Sequence, residues 1–294
     1  MSATRERRPG GRAPGQRPPR RRPPAQAPRG KRSELLGRVL VAVPAAVLAI
    51  VFVDLGGIPW AVLMIVMSVL CLIELYGMLA RWRPIQVVGF AGAVAMVIAA
   101  RYGNVRDVLE VAMITIPVTF VAVALAQPRG MATVRIAGTL LGIWWIGLGF
   151  AHAELLRGVT HGNSIIIDVM LGTFLGDAGA YAGGRLFGRR PLAPGISPHK
   201  TVEGLFCGMF VAILTVFIAS QYQPWMTKGD ALLLGAAVAV LAPIGDLFES
   251  MVKRDAGVKD SGTLFGPHGG ALDRLDAIIF TMVAGYYVWV GIIH

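Results

Sequence analysis

Charge is what this 294-residue chain has least of: 15% of its residues are Asp, Glu, Lys or Arg, against about 25% in a typical soluble domain. So small a polar complement cannot cover a water-facing surface. With 55% apolar residues and a mean hydropathy of +0.62, the bilayer is the natural solvent. A soluble single domain, a disordered protein and a disulfide-stapled scaffold are all excluded for the chain as a whole. Cysteine is nearly absent. Cys71 and Cys207 lie inside apolar runs, with no CxxC pair and no Cys/His cluster, which speaks against a disulfide framework and a structural zinc site and leaves two small buried hydrophobes. A repeat of fixed period is missing, as is the pair of matching broken helices that marks inverted-repeat transporters.

The charge that is present is unevenly placed. Residues 1–38 hold 12 Lys/Arg and two acids, Glu6 and Glu34, for +10. Residues 39–294 hold the other 16 Lys/Arg and 15 acids, for +1. The Pro/Arg/Gly-rich segment 1–34 has almost nothing apolar to bury and reads as a disordered basic tail. Beside a membrane domain it reads as a topological anchor near anionic headgroups, not as a nucleic-acid-binding arm.

About 20 apolar residues span the hydrocarbon core as a helix. Nine such runs are readable, near 36–53, 57–80, 84–101, 107–126, 132–156, 164–187, 203–221, 230–252 and 271–292. The fold class is therefore all-α, a polytopic integral membrane protein with about nine transmembrane helices. The N-terminal helices fall in 35–160 and the region richest in chemistry in 161–294. With the tail in the cytoplasm, alternate loops on that side carry eleven Lys/Arg (Arg81, Arg83, Arg129, Arg135, Arg185, Arg189, Arg190, Lys200, Lys253, Arg254, Lys259), whereas the outer loops carry four (Arg101, Arg106, Arg157, Lys228). That bias fits the positive-inside rule and an inner, plasma-type membrane. The two richest loops, 185–204 and 253–270, fall on the same cytoplasmic side and suggest one site built from both.

Acids inside membrane spans are costly and point to function by default. Asp246, Glu249, Ser250 and Lys253 stand at i, i+3, i+4 and i+7 and share a helix face that descends toward the second basic loop. Asp273 and Asp276, also i, i+3, open the last span with Arg274 between them. Close carboxylates repel unless a cation lies between them. Hard divalent ions such as Mg²⁺ take oxygen ligands and complete their shell with water and phosphate, and Lys253, Arg254, Lys259 and Arg274 suit an anionic substrate. Spacing alone leaves two readings open, a metal–phosphate site or interhelical salt bridges. His268-Gly269-Gly270 precedes the last helix and offers either a phosphate-approaching backbone or a flexible turn. Gly195 to Lys200-Thr201 has Walker spacing, but His199 replaces the second glycine and no strand is expected before it, so a P-loop is rejected. Ser197, Lys200 and Thr201 remain donors for a nucleotide.

Upstream, Asp177 and Tyr181 are i, i+4 on a helix whose Gly172, Gly176, Gly179 and Gly183 permit close packing. Glu74, Glu154 and Asp168 are weaker candidates. Glu74 is near no basic loop in the sequence, and His152 and His161 are expected to be merely solvated on the outer side. Trp60, Trp82 and Trp225 read as interfacial belt residues.

The stretch from Ser250 through Lys253, Arg254, Lys259, Asp260, Gly262, Phe265, His268, Gly269, Gly270, Asp273, Arg274 and Asp276 resembles the signature of phosphatidate cytidylyltransferases, also called CDP-diacylglycerol synthases. Gly176-Asp177, Tyr181, Gly184-Arg185, the Ser197–Gly204 stretch and Gly245-Asp246 with Glu249-Ser250 resemble that family as well. The chain departs from the pattern at Ala178, Ala271 and Gly266-Pro267. The resemblance implies transfer of CMP from CTP to phosphatidic acid with Mg²⁺, giving CDP-diacylglycerol and pyrophosphate. It implies Asp246, Asp273 and Asp276 for the metal, and Lys253 with those acids for catalysis. Asp177, Arg185, Ser197, Lys200, Ser250, Arg254, Lys259, His268 and Arg274 would bind substrate. A homodimer embedded among membrane lipids is the implied assembly. A CTP-dependent enzyme on another lipid, and a proton- or cation-coupled transporter using Asp177 and Asp246, are the competing expectations. A CDP-alcohol phosphotransferase motif opens on Asp-Gly, and this chain has no such dipeptide.

Overall fold

The computed structural model describes residues 44, 46–126, 130–262 and 269–293. The basic tail, the start of the first apolar run, Arg129 and His268 lie outside the described residues. Ten α-helices and one small hairpin follow in order: α1 (Ala46–Leu55), α2 (Gly57–Met78), α3 (Gln86–Tyr102), α4 (Val105–Leu125), α5 (Ala132–Gly142), α6 (Leu148–Gly158), α7 (Gly162–Phe187), β1 (Pro191–Ala193), β2 (Ser197–Thr201), α8 (Val202–Ser220), α9 (Lys228–Ala256) and α10 (Leu272–Val288). A π-helical turn, Ile143–Gly147, joins α5 to α6 in one continuous span, Ala132–Gly158. Among the described residues seven helices are long and apolar enough to cross a membrane, and α1 and α3 are shorter apolar ones. Nine apolar segments thus match the nine runs, and the chain is an integral membrane protein.

Local signals set the helix ends. Asn104 and Asp107 form a capping box at α4, and Thr227 and Asp230 form another at α9. Helix α9 extends one turn past its apolar run because Gly257, at φ +76°, closes a Schellman motif: its N–H donates to Arg254 O and the N–H of Val258 to Lys253 O at 3.0 Å. At 29 residues α9 is about 43 Å long, more than the ~30 Å of hydrocarbon it must cross. Its charged last turns, with Glu249, Lys253 and Arg254, therefore extend toward one end of the bundle.

Close helix contacts use glycine. On α7, a Cβ at Gly176 would lie 3.1 Å from Ala212 Cβ and one at Gly179 2.8 Å from Val211. Gly183 packs on Cys207, which is half-buried, while Cys71 is fully buried. The small-residue face of α7 thus serves α8. On the other side, Tyr76 of α2 is fully buried against Gly89 and Gly142 and donates to Thr139 O at 2.9 Å. Gly245 of α9 lies against the backbone of Asp276 and Ala277 on α10, so the helices carrying the candidate acids touch closely one residue before Asp246.

Several expectations about single residues are corrected. Trp60 is buried at 3% exposure and donates to Ala153 O, so protein and not the interface holds its indole. His152 is not solvated: it is 2% exposed, bonded through Nδ1 to Leu148 O and flanked by Tyr286 and Tyr287. His161 is exposed but stacks on Trp225 at 4.2 Å. Asp168 accepts from Gln223 Nε2 at 3.0 Å at each oxygen, and Glu154 Oε1 lies 3.8 Å from Arg101 Nε. A strand, β1, does precede Gly195, but it turns back antiparallel onto β2, with Pro191 opposite Thr201 and Ala193 opposite Ser197. Lys200 and Thr201 therefore lie in a strand, and the P-loop remains excluded.

The tight α7–α8 seam makes a prediction. A Cβ at Gly208 would approach Ala180 Cβ to 2.7 Å and Gly176 O to 2.8 Å. Gly208→Val should destabilise the protein by about 1–3 kcal/mol, as overpacking does, seen as a lower thermal midpoint in detergent. An unchanged midpoint would contradict this packing.

Candidate active site

The polar end of the bundle collects the C-terminal ends of α2, α7 and α9, the N-terminal ends of α8 and α10, and the hairpin. Lys253, in the last turn of α9, bridges helices. Its Nζ donates to Asp273 Oδ1 of α10 at 2.7 Å and also to Glu249, one turn back on α9. Side-chain exposures of 12% for Lys253, 10% for Asp273 and 1% for Glu249 show that water screens this triad little. Asp273 is fully engaged: its Oδ2 accepts from Ser261 N at 2.9 Å and Gly270 N at 2.8 Å. Glu249 Oε1 is buried with no hydrogen-bond partner among the described residues. A half-satisfied buried carboxylate is costly and fits a site that takes another cation.

Asp246, one turn before Glu249, forms an ion pair with Lys200 of β2, so the hairpin closes on α9. Asp276 is buried, accepts from Ala277 N at 2.8 Å and lies in the field of Glu249 and Asp246. Asp177 of α7 lies in the field of Asp246 and Lys200. The acids thus form two lysine-centred groups, Lys253 with Glu249 and Asp273, and Lys200 with Asp246, with Asp276 behind. Asp246 and Asp273 approach the same end but engage different lysines. Among the described residues no three acidic, His or Cys side chains form a ready metal cage.

The remaining candidates fall around this centre. Arg254 Nε donates to Ile196 O at 3.1 Å and its Nη1 to Val258 O at 3.4 Å, fastening the hairpin to the end of α9. Ser250 is buried and Ser197 half-buried. Lys259 and Arg274 are exposed, and Arg185 is exposed with Tyr181 Oη 3.3 Å away. Glu203, which the sequence left without a role, accepts from Arg189 N at 2.9 Å and Arg190 N at 3.2 Å and pins the start of the hairpin. Trp145, Phe248 and Phe280 form an aromatic cluster at this part of α9, with ring centroids 4.8 and 5.5 Å apart.

The two glycines before α10 do not present a bare backbone cradle. Gly269 adopts φ +82°, which favours glycine. The N–H of Gly270 goes to Asp273, and those of Ala271 and Leu272 go to Glu74 at 2.9 Å each. Glu74 was placed near no basic loop, and this is overturned. It reaches the start of α10 from α2, and only the fold reveals a contact across nearly 200 residues.

The model of the cytidylyltransferase family matches residues 36–291. A protein of Mycobacterium bovis named phosphatidate cytidylyltransferase is 38% identical over 148 residues, 49% of this chain and 47% of the relative. A Haemophilus influenzae protein of the same name is 40% identical over 123 residues, 40% of this chain and 43% of the relative. The chain spans about half the length of these relatives. A Staphylococcus epidermidis protein, again named phosphatidate cytidylyltransferase, is 29% identical over 254 residues, 83% of this chain and 95% of its own.

The triad makes a stability prediction. Removing Lys253 strands Glu249 and Asp273, and breaking a buried pair costs about 3–5 kcal/mol. Lys253→Ala should lower the detergent melting midpoint markedly, whereas Lys259→Ala, at an exposed position, should shift stability by less than about 0.5 kcal/mol. Equal midpoints for the two variants would show that Lys253 bridges nothing of consequence.

Proposed function

The chain belongs to the cytidylyltransferase family, and from that premise we propose that it is a phosphatidate cytidylyltransferase, making CDP-diacylglycerol and pyrophosphate from CTP and phosphatidic acid at the cytoplasmic face of the membrane. The observation that carries this reading is the convergence of two acid–lysine groups, on α9–α10 and on α9–β2, at one end of an apolar helix bundle. A lipid phosphate lies at the membrane surface and a nucleotide triphosphate arrives from water, so the reaction needs polar groups where these two phases meet.

A phosphate oxygen of the lipid attacks the α-phosphorus of CTP. A phosphorus–oxygen bond forms there as the bond to the β-phosphate breaks, and pyrophosphate carries away the electron pair. No covalent enzyme intermediate is needed. Catalysis is positioning and neutralisation of phosphate charge. Lys253 and Lys200 would bind the phosphates, each already oriented by a carboxylate. Lys259, Arg254, Arg274 and Arg185 supply further positive charge around the mouth, and Ser197, Ser250 and His268 complete the donors to phosphate and nucleotide. Asp177 adds negative charge near Lys200 and Asp246.

The residues fit Mg²⁺. The orphaned Glu249 Oε1 and the nearness of Asp246 and Glu249 to the buried Asp276 call for added positive charge. Asp246 and Asp276 would hold the ion, with water and phosphate completing its shell; Asp273 would join only by releasing Lys253. Bound there, Mg²⁺ would neutralise phosphate charge and orient the triphosphate. A homodimer among membrane lipids is the proposed assembly, and the basic tail its cytoplasmic anchor.

The test is an assay of purified protein in detergent with CTP, phosphatidic acid and Mg²⁺, reading lipid-linked cytidine and pyrophosphate. Asp273→Asn should reduce turnover at least about 100-fold, the scale of losing one preorganised electrostatic group, and chelation of divalent ions should stop it. Wild-type activity in Asp273→Asn would remove this residue from the mechanism. Turnover with a different lipid phosphate but none with phosphatidic acid would reassign the substrate.

A further inference from the structure

We infer that Glu74 is a positioning residue: from the N-terminal half of the chain it clamps the segment that carries Ser261, Gly270 and Asp273, and so holds the Lys253–Asp273 pair in register for the triphosphate. This inference rests on the proposed cytidylyl transfer and adds to it a residue outside the signature.

Glu74 lies near the end of α2, one turn before Met78. Its Oε1 accepts from Ala271 N at 2.9 Å, and its Oε2 accepts from Leu272 N and Ser261 Oγ, both at 2.9 Å. Helix α10 has no side-chain cap of its own, since its N-cap residue is Ala271. A carboxylate from another helix therefore satisfies the amides that α10 leaves open, with the sign of charge that a helix N-terminus favours. The clamp continues through Ser261. The Asp273 N–H donates to Ser261 Oγ at 3.3 Å, and Ser261 N donates to Asp273 Oδ2 at 2.9 Å. One carboxylate thus ties the segment after α9 to the start of α10, on either side of the stretch between them.

Two further features show that the segment is shaped around this carboxylate. A Cβ at Gly262 would come within 2.5 Å of Glu74 Oε1, and one at Gly270 would overlap both the Glu74 carboxylate and Ser261 Oγ. Glycine at these two positions leaves the space that Glu74 fills. Three residues back on the same face of α2, Cys71 is fully buried.

The experiment compares the full-length wild type with Glu74→Gln and with the milder Ser261→Ala. One arm measures KM for CTP, KM for phosphatidic acid and kcat. The other measures hydrogen exchange at the amides of 261 and 270–272. A smaller folded fraction lowers apparent kcat alone, so KM for CTP is the readout that a merely structural role would not move. For Glu74→Gln, KM for CTP is expected to rise at least tenfold, KM for phosphatidic acid to change less than twofold, and exchange at 271 and 272 to accelerate at least tenfold. Ser261→Ala should change the same quantities in the same direction by less, which keeps the test alive if Glu74→Gln fails to fold. Unchanged KM for CTP, or unchanged exchange at 271 and 272, in the folded variants overturns the positioning role. A wild type without CTP turnover overturns the proposed reaction instead, and the exchange arm still decides whether Glu74 holds the segment.

Discussion

Everything at the polar end of this bundle depends on Lys253 being shared between Glu249 and Asp273. A lone ammonium or carboxylate at this depth is expensive, and pairing reduces the cost only when geometry and the remaining hydrogen bonds are good. Here the geometry is supplied by two helices in close contact. Gly245 brings α9 against the backbone of α10 beside Asp276, and the Schellman motif at Gly257 ends α9 just after Lys253. With α9 fixed on α10, the hairpin attaches to the same helix through Lys200–Asp246 and through Arg254 to Ile196. The hairpin and the charged end of α9 are thus joined by two separate contacts.

The architecture was legible in the sequence because bilayer physics writes itself in long apolar runs. Nine runs became nine apolar segments, and the boundaries moved where caps intervened, as at Thr227 and Gly257. The face carrying Asp246, Glu249, Ser250 and Lys253 was legible from helical spacing. The glycines of α7 announced a tight seam, which α8 fills.

Partner choice was not legible. Spacing could not say whether Lys253 or a metal would meet Asp273, nor that Lys200 would come to Asp246 from a hairpin. The role of Glu74 is not legible because its partners, Ala271 and Leu272, are backbone amides almost 200 residues away, and an amide leaves no mark in the amino-acid sequence. The glycines at 262 and 270 are its trace in the sequence, since they leave room for a side chain from elsewhere. His152 and Trp60 were misplaced for a related reason: residues near the ends of apolar runs can face solvent or a neighbouring helix, and composition does not distinguish these.

The central claim is that the acid–lysine groups on α9, α10 and β2 form one substrate-aligning centre. It is tested most directly by an experimental structure with a non-reacting CTP analogue and Mg²⁺. The account predicts the triphosphate between Lys253 and Lys200, with the metal on Asp246 and Asp276. A triphosphate bound elsewhere, with Lys253 still closed on Glu249 and Asp273 and no metal on α9 or α10, would contradict it.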